Sequence, residues 1–247
     1  MPTQLDDTGH RGLAEVSAQS PRGVSIPVTV DVVLFSIRST ATGALAPHVL
    51  LIRRAWEPFA GHWALPGDYV EPAESLGDAA SRALREKTGL SATYLEQLYT
   101  FGRPDRGARE RVITIAYYAL ARVHEVEAAA TRPGGSIRWW PIDRLPADLA
   151  FDHAEIVGYA LWRLRNKVSY AHVAYQFLPA TFTLAELRAV YEVILGKLLD
   201  PTNFRRHVLS TNTIVPTTEQ VVGGRHRPPR LYRCALTATD LYRGPTA

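Results

Sequence analysis

Apolar and polar positions in the first half of the chain follow a pattern that is typical of strands. Strand-like runs that are β-branched or apolar occur at residues 26–38, 48–54, 93–99, 112–123 and 137–141. One helix interrupts them, because Ser75 is suited to cap a helix start and Gly89 is suited to end it. The first half is therefore predicted to be mixed α/β, with more strands than helices.

The second half has a different pattern, in which apolar positions recur with helical spacing. Three helices are predicted, over residues 152–166, 183–196 and 200–210. Asp200 followed by Pro201 is a strong signal for the start of the last helix. Two β-prone runs, residues 213–217 and 231–236, then flank a loop rich in Gly, Pro and Arg. The order helix, turn, helix, hairpin predicts a winged helix-turn-helix domain.

These patterns divide the chain into a disordered tail at residues 1–24, an α/β domain at 25–166 and a winged helix domain at 167–247. The first 22 residues lack the apolar stretch of a signal peptide, and no apolar run reaches the roughly 18 residues of a membrane span. Cys234 is the single cysteine, which excludes a disulfide within the chain. A cytoplasmic protein without a membrane partner is therefore expected.

The C-terminal end of the chain carries an excess of positive charge. The net charge of +4 is mild, but six arginines lie between Asp200 and Arg233, against the acidic residues Asp200 and Glu219. A basic excess confined to one region indicates a polyanionic partner.

Residues 63–75 and 82–90 carry the clearest motif. Written out, they read Trp63-Ala-Leu-Pro-Gly-Asp-Tyr-Val-Glu-Pro-Ala-Glu-Ser and Arg82-Ala-Leu-Arg-Glu-Lys-Thr-Gly-Leu. This spacing resembles the Nudix box, a phosphate-binding loop followed by a helix. Helix positions 82, 83, 86 and 87 span about 140° of arc, so carboxylates there can converge on divalent metals that bind a pyrophosphate.

The chain differs from the Nudix box mainly at the acidic positions that would bind the metal. It keeps Glu74, Arg82 and Glu86, but Ala83 and Lys87 replace two of the three helical acids, and Asp68 replaces the first glycine, although Gly67 precedes it. Alanine cannot bind a metal, and lysine places a positive charge where Mg²⁺ would lie. We therefore predict no catalytic residue and no metal site, with Mg²⁺ relevant only to a residual hydrolase activity.

The loop, the glycine stop and the retained polar residues still predict a nucleotide pocket. Its candidate ligand-binding residues are Arg53, Arg54, Trp63, Gly67, Glu74, Arg82 and Glu86. The two arginines end a strand, where they are either solvated charges or phosphate ligands, and both interpretations stay open. Trp63, Tyr99 and Phe101 are expected in the core rather than stacked on adenine, with the alternative that one of them does both.

The last helix and the hairpin predict a DNA-binding surface. Phe204, Val208 and Leu209 are expected to face the core, which leaves Thr202, Asn203, Arg205 and Arg206 facing outward. Arginine and asparagine are residue types that bind base edges and phosphates in the major groove. The wing contributes Arg225, Arg227 and Arg230 for contacts to the sugar–phosphate backbone or the minor groove.

The two halves in this order resemble the Nudix-related transcriptional regulators of NAD metabolism. The pieces that match best are residues 53–67, 98–106, 150–156, and 177–179 through 203–206. The resemblance implies a Nudix-type α/β/α sandwich followed by a smaller winged helix-turn-helix domain. It also implies a homodimer that binds a palindromic operator in double-stranded DNA, near genes of NAD biosynthesis or salvage. The implied effector is ADP-ribose or a related NAD-derived nucleotide, and the Nudix domain is implied to be catalytically silent.

Two other functions remain open at this stage. One is an active, metal-dependent Nudix ADP-ribose pyrophosphatase with an accessory C-terminal domain. The other is a Nudix protein that binds or processes RNA, against which the basic wing argues. The leading hypothesis is a DNA-binding repressor that senses a nucleotide.

Overall fold

The computed structural model describes residues 25–92, 94–122, 135–168, 172–220 and 229–236. The predicted tail, residues 1–24, lies outside this part of the chain, as do Arg225 and Arg227 of the wing. Among the helices of the described residues, none is both long and apolar enough to cross a membrane.

Seven strands of the described chain form one mixed sheet in the order β3-β2-β1-β6-β5, with β4 beside β1 and β7 beside β2. The strands are β1 (Val28–Ser39), β2 (Leu45–Arg53), β3 (Trp63–Ala64), β4 (Gly67–Tyr69), β5 (Tyr94–Phe101), β6 (Ile113–Leu120) and β7 (Ile137–Pro141). β1 runs parallel to β6 and antiparallel to β2 and β4. β1 is a nearly continuous apolar run because its side chains are buried on both faces of the sheet.

Side chains along β1 alternate between the two faces of the sheet. Val32 and Leu34 pack with helix α1 (Leu76–Thr88), whereas Val33 and Phe35 pack with helix α2 (His153–Val168). Helices therefore cover both faces, and the predicted α/β/α sandwich is confirmed.

Local signals set the ends of α1 as predicted. The hydroxyl of Ser75 accepts a hydrogen bond from the backbone N–H of Asp78 at 3.2 Å. Gly89 ends the helix in the left-handed region, with φ at 76°, which costs glycine little. α1 therefore begins and ends at fixed points, and this holds its outer side chains in register with the preceding loop.

The C-terminal part has the winged helix order that the sequence predicts. A 3₁₀ turn (His172–Phe177) leads into α3 (Leu184–Leu195) and α4 (Pro201–Ser210), and a hairpin of β8 (Ile214–Gln220) and β9 (Arg230–Cys234) follows. The backbones of Phe182 and Tyr232 pair in antiparallel fashion, which adds a third segment to the hairpin. The smaller winged helix-turn-helix domain is thereby confirmed.

The two halves share one core. Leu187 and Ile194 of α3 belong to the same buried cluster as Val157 of α2. Near the end of α2, Arg165 Nε donates a hydrogen bond of 3.0 Å to the carbonyl oxygen of Ile194. The predicted domain boundary between residues 166 and 167 falls within the last turn of α2 and stays a prediction.

Candidate functional site

Arg82 fastens the Nudix-type loop to α1. Its guanidinium donates to both carboxylate oxygens of Glu74, at 2.7 and 3.0 Å, and to the carbonyl oxygen of Tyr69 at 2.9 Å. The backbone N–H of Glu71 also donates to Glu74, at 2.8 Å. The hydrogen bonds from Arg82 and from Glu71 lower the pKa of Glu74 to about 2. Glu74 and Arg82 are both predicted ligand-binding residues. Here they satisfy each other's hydrogen-bonding groups and fix the shape of the loop.

Lys87 extends from the last turn of α1 to the same loop. Its ammonium lies 2.8 Å from a carboxylate oxygen of Asp68, and Arg82 lies 3.6 Å from that oxygen. Partial burial raises the pKa of Asp68, but the hydrogen bond from Lys87 and the nearby charges outweigh it, so the pKa is lowered. Glu86 is half exposed and lies 3.5 Å from Arg82. Each acid on this surface therefore already has a cation of the protein beside it.

Ala83 does not reach that surface. It is completely buried between α1 and the sheet, in the cluster that contains Val32 and Leu84. The two replaced positions therefore differ in kind, because Lys87 supplies a cation to the loop whereas Ala83 fills the core.

A buried ionic network lies directly behind the loop. Arg106 donates to Asp31 at 2.7 Å and to Asp152 at 3.0 Å, and its side chain is 4% exposed. Nδ1 of His153 accepts from the backbone N–H of Leu65 at 2.9 Å, and Nε2 lies 3.5 Å from Asp31. Sequence reasoning missed this network, although Arg106, Asp152 and His153 all lie within the pieces that carry the family resemblance.

Gly67 lies against this network. A Cβ atom at this position would come within 2.3 Å of Asp31 Oδ1 and 2.6 Å of the carbonyl oxygen of Val30. The loop can approach β1 this closely because residue 67 has no side chain. Gly67 therefore positions the loop, and any contact it makes with a ligand stays a prediction.

A cleft of 340 Å³ opens beside the network. It is lined by Tyr99, Thr100, Phe101, Gly102, Arg103, Asp152, Glu155 and Tyr159. Phe101 is buried as expected, but the expectation that Tyr99 belongs to the core is wrong, since it is 55% exposed. Tyr99 lies on the β5 edge strand, with its ring 5.2 Å from that of Tyr159.

The other predicted ligand-binding residues have structural partners. Arg53 Nε donates to the carbonyl oxygen of Gly61 at 2.9 Å, and Arg54 Nε donates to that of Pro58 at 2.8 Å. Trp63 is partly buried, with its ring edge-on to Trp140. The arginines therefore tie the loop between β2 and β3, and their role toward phosphate stays a prediction.

α4 presents a polar outer surface. Phe204 and Val208 are buried, whereas Leu209, expected in the core, is 39% exposed, since a ten-residue helix with one packed side buries only its central stripe. The predicted DNA-binding residues of this helix are all exposed, namely Thr202, Asn203, Arg205 and Arg206. Arg206 donates to the side-chain oxygen of Asn203 at 2.9 Å, so these two side chains are held together.

Arg205 and Arg230, from separate elements, line the same cleft. This second cleft has a volume of 170 Å³ and lies between the start of α3 and β9. The structure thus places one wing arginine in the same cleft lining as a residue of α4, while Arg225 and Arg227 lie outside the described residues.

Comparison with known proteins matches both halves. The NUDIX domain family matches residues 27–159, and the NrtR DNA-binding winged helix domain family matches residues 174–234. The ADPR responsive transcriptional repressor NtrR of Acinetobacter baylyi is 36% identical over 216 residues, which cover 86% of this chain and 84% of that protein.

Two further similarities concern the whole chain and its first half. The crystal structure of Shewanella oneidensis NrtR complexed with a 27mer DNA aligns with a TM-score of 0.73 at 36% identity, over 84% of this chain and 93% of that one. The ADP-ribose pyrophosphatase of Methanocaldococcus jannaschii is 35% identical over 116 residues, 47% of this chain and 67% of that protein. Because both domain types match in this order and the relatives align along most of their length, the chain belongs to the NrtR family of Nudix-related transcriptional regulators.

Proposed function

We propose that this protein is a transcriptional repressor that binds operator DNA through α4 and the β8–β9 wing, and whose Nudix domain binds ADP-ribose or a related NAD-derived nucleotide. The observation that carries the proposal is the outer surface of α4, where Asn203 and Arg206 are exposed and hydrogen-bonded to each other while Arg205 lines one cleft together with Arg230. The names of the Acinetobacter and Shewanella relatives support it.

α4 has the chemistry of a recognition helix. Arginine can donate two hydrogen bonds to guanine, and asparagine can both donate to and accept from adenine, in each case in the major groove. The hydrogen bond between Arg206 and Asn203 limits the rotamers of both side chains before DNA arrives. The arginines near the wing suit phosphates, which position the domain without reading sequence. A homodimer on a palindromic operator beside genes of NAD biosynthesis or salvage follows from the family resemblance.

The Nudix surface suits binding better than hydrolysis. Nudix-type hydrolysis uses divalent cations, which neutralise the pyrophosphate and activate water. The residues present do not fit that role, since Lys87 replaces an acid of the motif and its ammonium pairs with Asp68. Within the described residues, no group of three His, Cys, Asp or Glu side chains could hold a metal ion.

A nucleotide can regulate DNA binding only if it binds one arrangement of the protein more tightly than another. A difference of about 1–3 kcal/mol is typical of such coupling and changes operator affinity about 5- to 150-fold. The shared core and the contact between Arg165 and Ile194 give the two halves a direct mechanical connection.

The test is operator binding with and without ADP-ribose. A duplex ligand is selected from a random DNA pool with the full chain, and its affinity is measured by fluorescence anisotropy at one stated salt concentration. We expect specific binding that ADP-ribose shifts at least fivefold. Equal affinity for selected and scrambled duplexes would remove the DNA-binding proposal, and an ADP-ribose effect below twofold would remove the effector.

A second candidate is an active ADP-ribose pyrophosphatase, which the similarity of the Nudix half to the Methanocaldococcus enzyme favours. Phosphate released by alkaline phosphatase from the products of ADP-ribose, in Mg²⁺ or Mn²⁺, measures this activity. Robust turnover that Glu86→Gln abolishes would establish the enzyme and end the proposal of a silent domain.

A further inference from the structure

α2 has one buried face and one exposed face, and the exposed face carries a large aromatic side chain at its centre. The buried residues, among them Ile156, Ala160 and Leu164, pack in the core that α2 shares with the sheet and with α3. Trp162 lies on the opposite face and is 55% exposed. Monomeric soluble proteins rarely leave a large connected apolar patch in water, and such a patch commonly marks an interface with another protein.

Trp162 belongs to a row of aromatic rings. Its ring lies 5.3 Å from that of Tyr159, and the ring of Tyr159 lies 5.2 Å from that of Tyr99 on β5. Tyr99 is also 55% exposed, so the row is open to solvent at both ends. Tryptophan and tyrosine are enriched at the buried centres of protein interfaces, where they supply much of the binding energy. The row therefore suits a protein partner.

A gap lies one helical turn before Trp162. Gly158 is exposed, and a Cβ atom at this position would have no atom of the described chain within 4 Å, leaving aside its chain neighbours and the backbone of α2. The exposed face thus carries a projecting side chain and, four residues earlier, a position without one. A second α2 can place its own Trp162 in this gap.

The charges along this face favour an antiparallel pair of α2 helices. Near the start of the helix the Glu155 side chain is 54% exposed, and near its end Arg165 is exposed. If a two-fold axis lies at the level of Ala160, Arg165 of each copy faces Glu155 of the other. The same register places Trp162 of each copy against Gly158 of the other. One arrangement therefore matches both shape and charge, which is the self-complementarity that a two-fold interface requires.

Antiparallel packing of α2 also suits a palindromic operator. α3 ends beside Arg165 and α4 follows it, so the two recognition helices are placed at opposite ends of the helix pair. A rise of about 1.5 Å per residue from Ala160 to Val168 places the two C-terminal ends of α2 about 24 Å apart along the axis. Half-sites one turn of DNA apart are separated by about 34 Å. With α4 added beyond each end, the helix pair has the size that two such half-sites require.

We propose that the exposed face of α2 is the interface of the homodimer, where it packs antiparallel against the same face of a second copy. Trp162 fills the gap at Gly158 of the other copy, and Tyr159 and Tyr99 extend the contact toward β5. The pair of Glu155 with Arg165 sets the orientation and adds little affinity, because exposed ion pairs are weak. The inference rests on the proposed function, since a homodimer is part of that function.

The test is the oligomeric state of the full chain without DNA, measured by sedimentation velocity over a range of concentrations. The unmodified chain should be a dimer at micromolar concentration. Trp162→Ala should raise the dissociation constant of the dimer at least about 30-fold, as the loss of a central tryptophan does at other interfaces. Trp56→Ala is the matched control and should leave the dimer unchanged, since Trp56 is 80% exposed but lies in the loop between β2 and β3.

An exchange of the two complementary positions tests the pairing itself. Gly158→Trp should also weaken the dimer, because it fills the gap, and should leave the monomer folded, because the position faces open space. Gly158→Trp combined with Trp162→Ala should restore dimerisation, since the large side chain and the gap then exchange places across the two-fold axis. Circular dichroism checks that each variant is folded.

The outcomes separate this inference from the proposed function. A monomeric unmodified chain, or a Trp162→Ala chain that dimerises as tightly, would overturn this interface even if the chain still bound its selected operator. An equal loss in Trp56→Ala, or no recovery in the double variant, would also overturn it. A chain that dimerises through this face but binds selected and scrambled duplexes equally would keep the interface and remove the DNA-binding role.

Discussion

Arg165 Nε lies 3.0 Å from the carbonyl oxygen of Ile194, so the end of α2 holds the end of α3. The same α2 begins beside the 340 Å³ cleft that Asp152 and Glu155 line. A helix of 16 residues is about 24 Å long. α2 therefore forms one continuous element between that cleft and the winged helix.

Arg165→Ala should uncouple ADP-ribose binding from operator binding. We expect ADP-ribose and operator each to bind within a few fold of the unmodified chain, while the effect of ADP-ribose on operator affinity falls at least fivefold, because the contact that joins the helices is lost. Anisotropy titrations with and without ADP-ribose measure this change. Asn166→Ala is the control, because Asn166 hydrogen-bonds within α2, to the carbonyl oxygen of Trp162. An unchanged ligand response in Arg165→Ala would show that the contact does not transmit.

Arg206→Ala should weaken operator binding about 5- to 150-fold, the usual range for the loss of one good base contact. The chain should keep its fold, because Arg206 is exposed and its hydrogen bond is to exposed Asn203. Arg144→Ala controls for the loss of one positive charge, since the Arg144 side chain is 83% exposed and lies in the Nudix half. Equal effects of the two substitutions would assign the loss to net charge and would remove the role of α4 in recognition.

Lys87→Glu should give the Nudix surface an affinity for divalent cations. The new carboxylate would lie near Asp68 and Glu86, and their repulsion would favour a bound cation. Addition of Mg²⁺ should therefore raise the melting temperature of Lys87→Glu by a few degrees, through preferential binding to the folded state. Lys87→Met removes the ammonium without adding an acid and should show no such rise. A similar rise in the unmodified chain would mean that Lys87 does not prevent metal binding.

Acid should destabilise the network behind the loop. Burial raises the pKa of Asp31, but His153 and Arg106 outweigh burial and hold it at about 2, below its ordinary 3.8. Because the folded pKa is depressed, this stabilisation is complete above about pH 4 and is lost as the pH falls through about 2. It amounts to roughly 2 kcal/mol.

Urea unfolding at several pH values between 4 and 2 tests this prediction. The free energy of unfolding of Asp31→Asn should fall less steeply with decreasing pH than that of the unmodified chain. Asp143→Asn, at a side chain that is 73% exposed, should give a curve parallel to that of the unmodified chain. Parallel curves for Asp31→Asn would mean that Asp31 titrates normally.

Local signals predicted the helices well, because caps act over three or four residues. Ser75, Thr183 and Asp200 each accept the expected hydrogen bond from a backbone N–H three residues later. β3 and β4 were not predicted, since strands of two and three residues have no periodicity to detect. They form because tertiary pairing with β1 and β2 satisfies their backbones.

Sequence patterns predicted one part of the site and missed another, because they connect only residues that are close together in the chain. The spacing along α1 identified the surface with Arg82 and Lys87, which lie within two turns of each other. The network of Arg106 depends on residues 46 and 75 positions away in the chain, so no local pattern connects them. The exposure of Tyr99 likewise follows from the edge position of β5, which strand composition alone does not reveal.

The shared core determines how far this protein can be divided. Leu187, Val190 and Ile194 of α3 are buried in the cluster that includes α2. A fragment that began after α2 would lose part of this packing, and a large apolar side chain loses roughly 1.5–3 kcal/mol when it becomes fully exposed. We expect such a fragment to aggregate. A fusion of the winged helix domain to another ligand-binding domain would have to include α2. A DNA-binding unit that can be moved to another protein must therefore include α2 as well as α4 and the wing. The Nudix domain and the winged helix domain are expected to have evolved together, because they share this core.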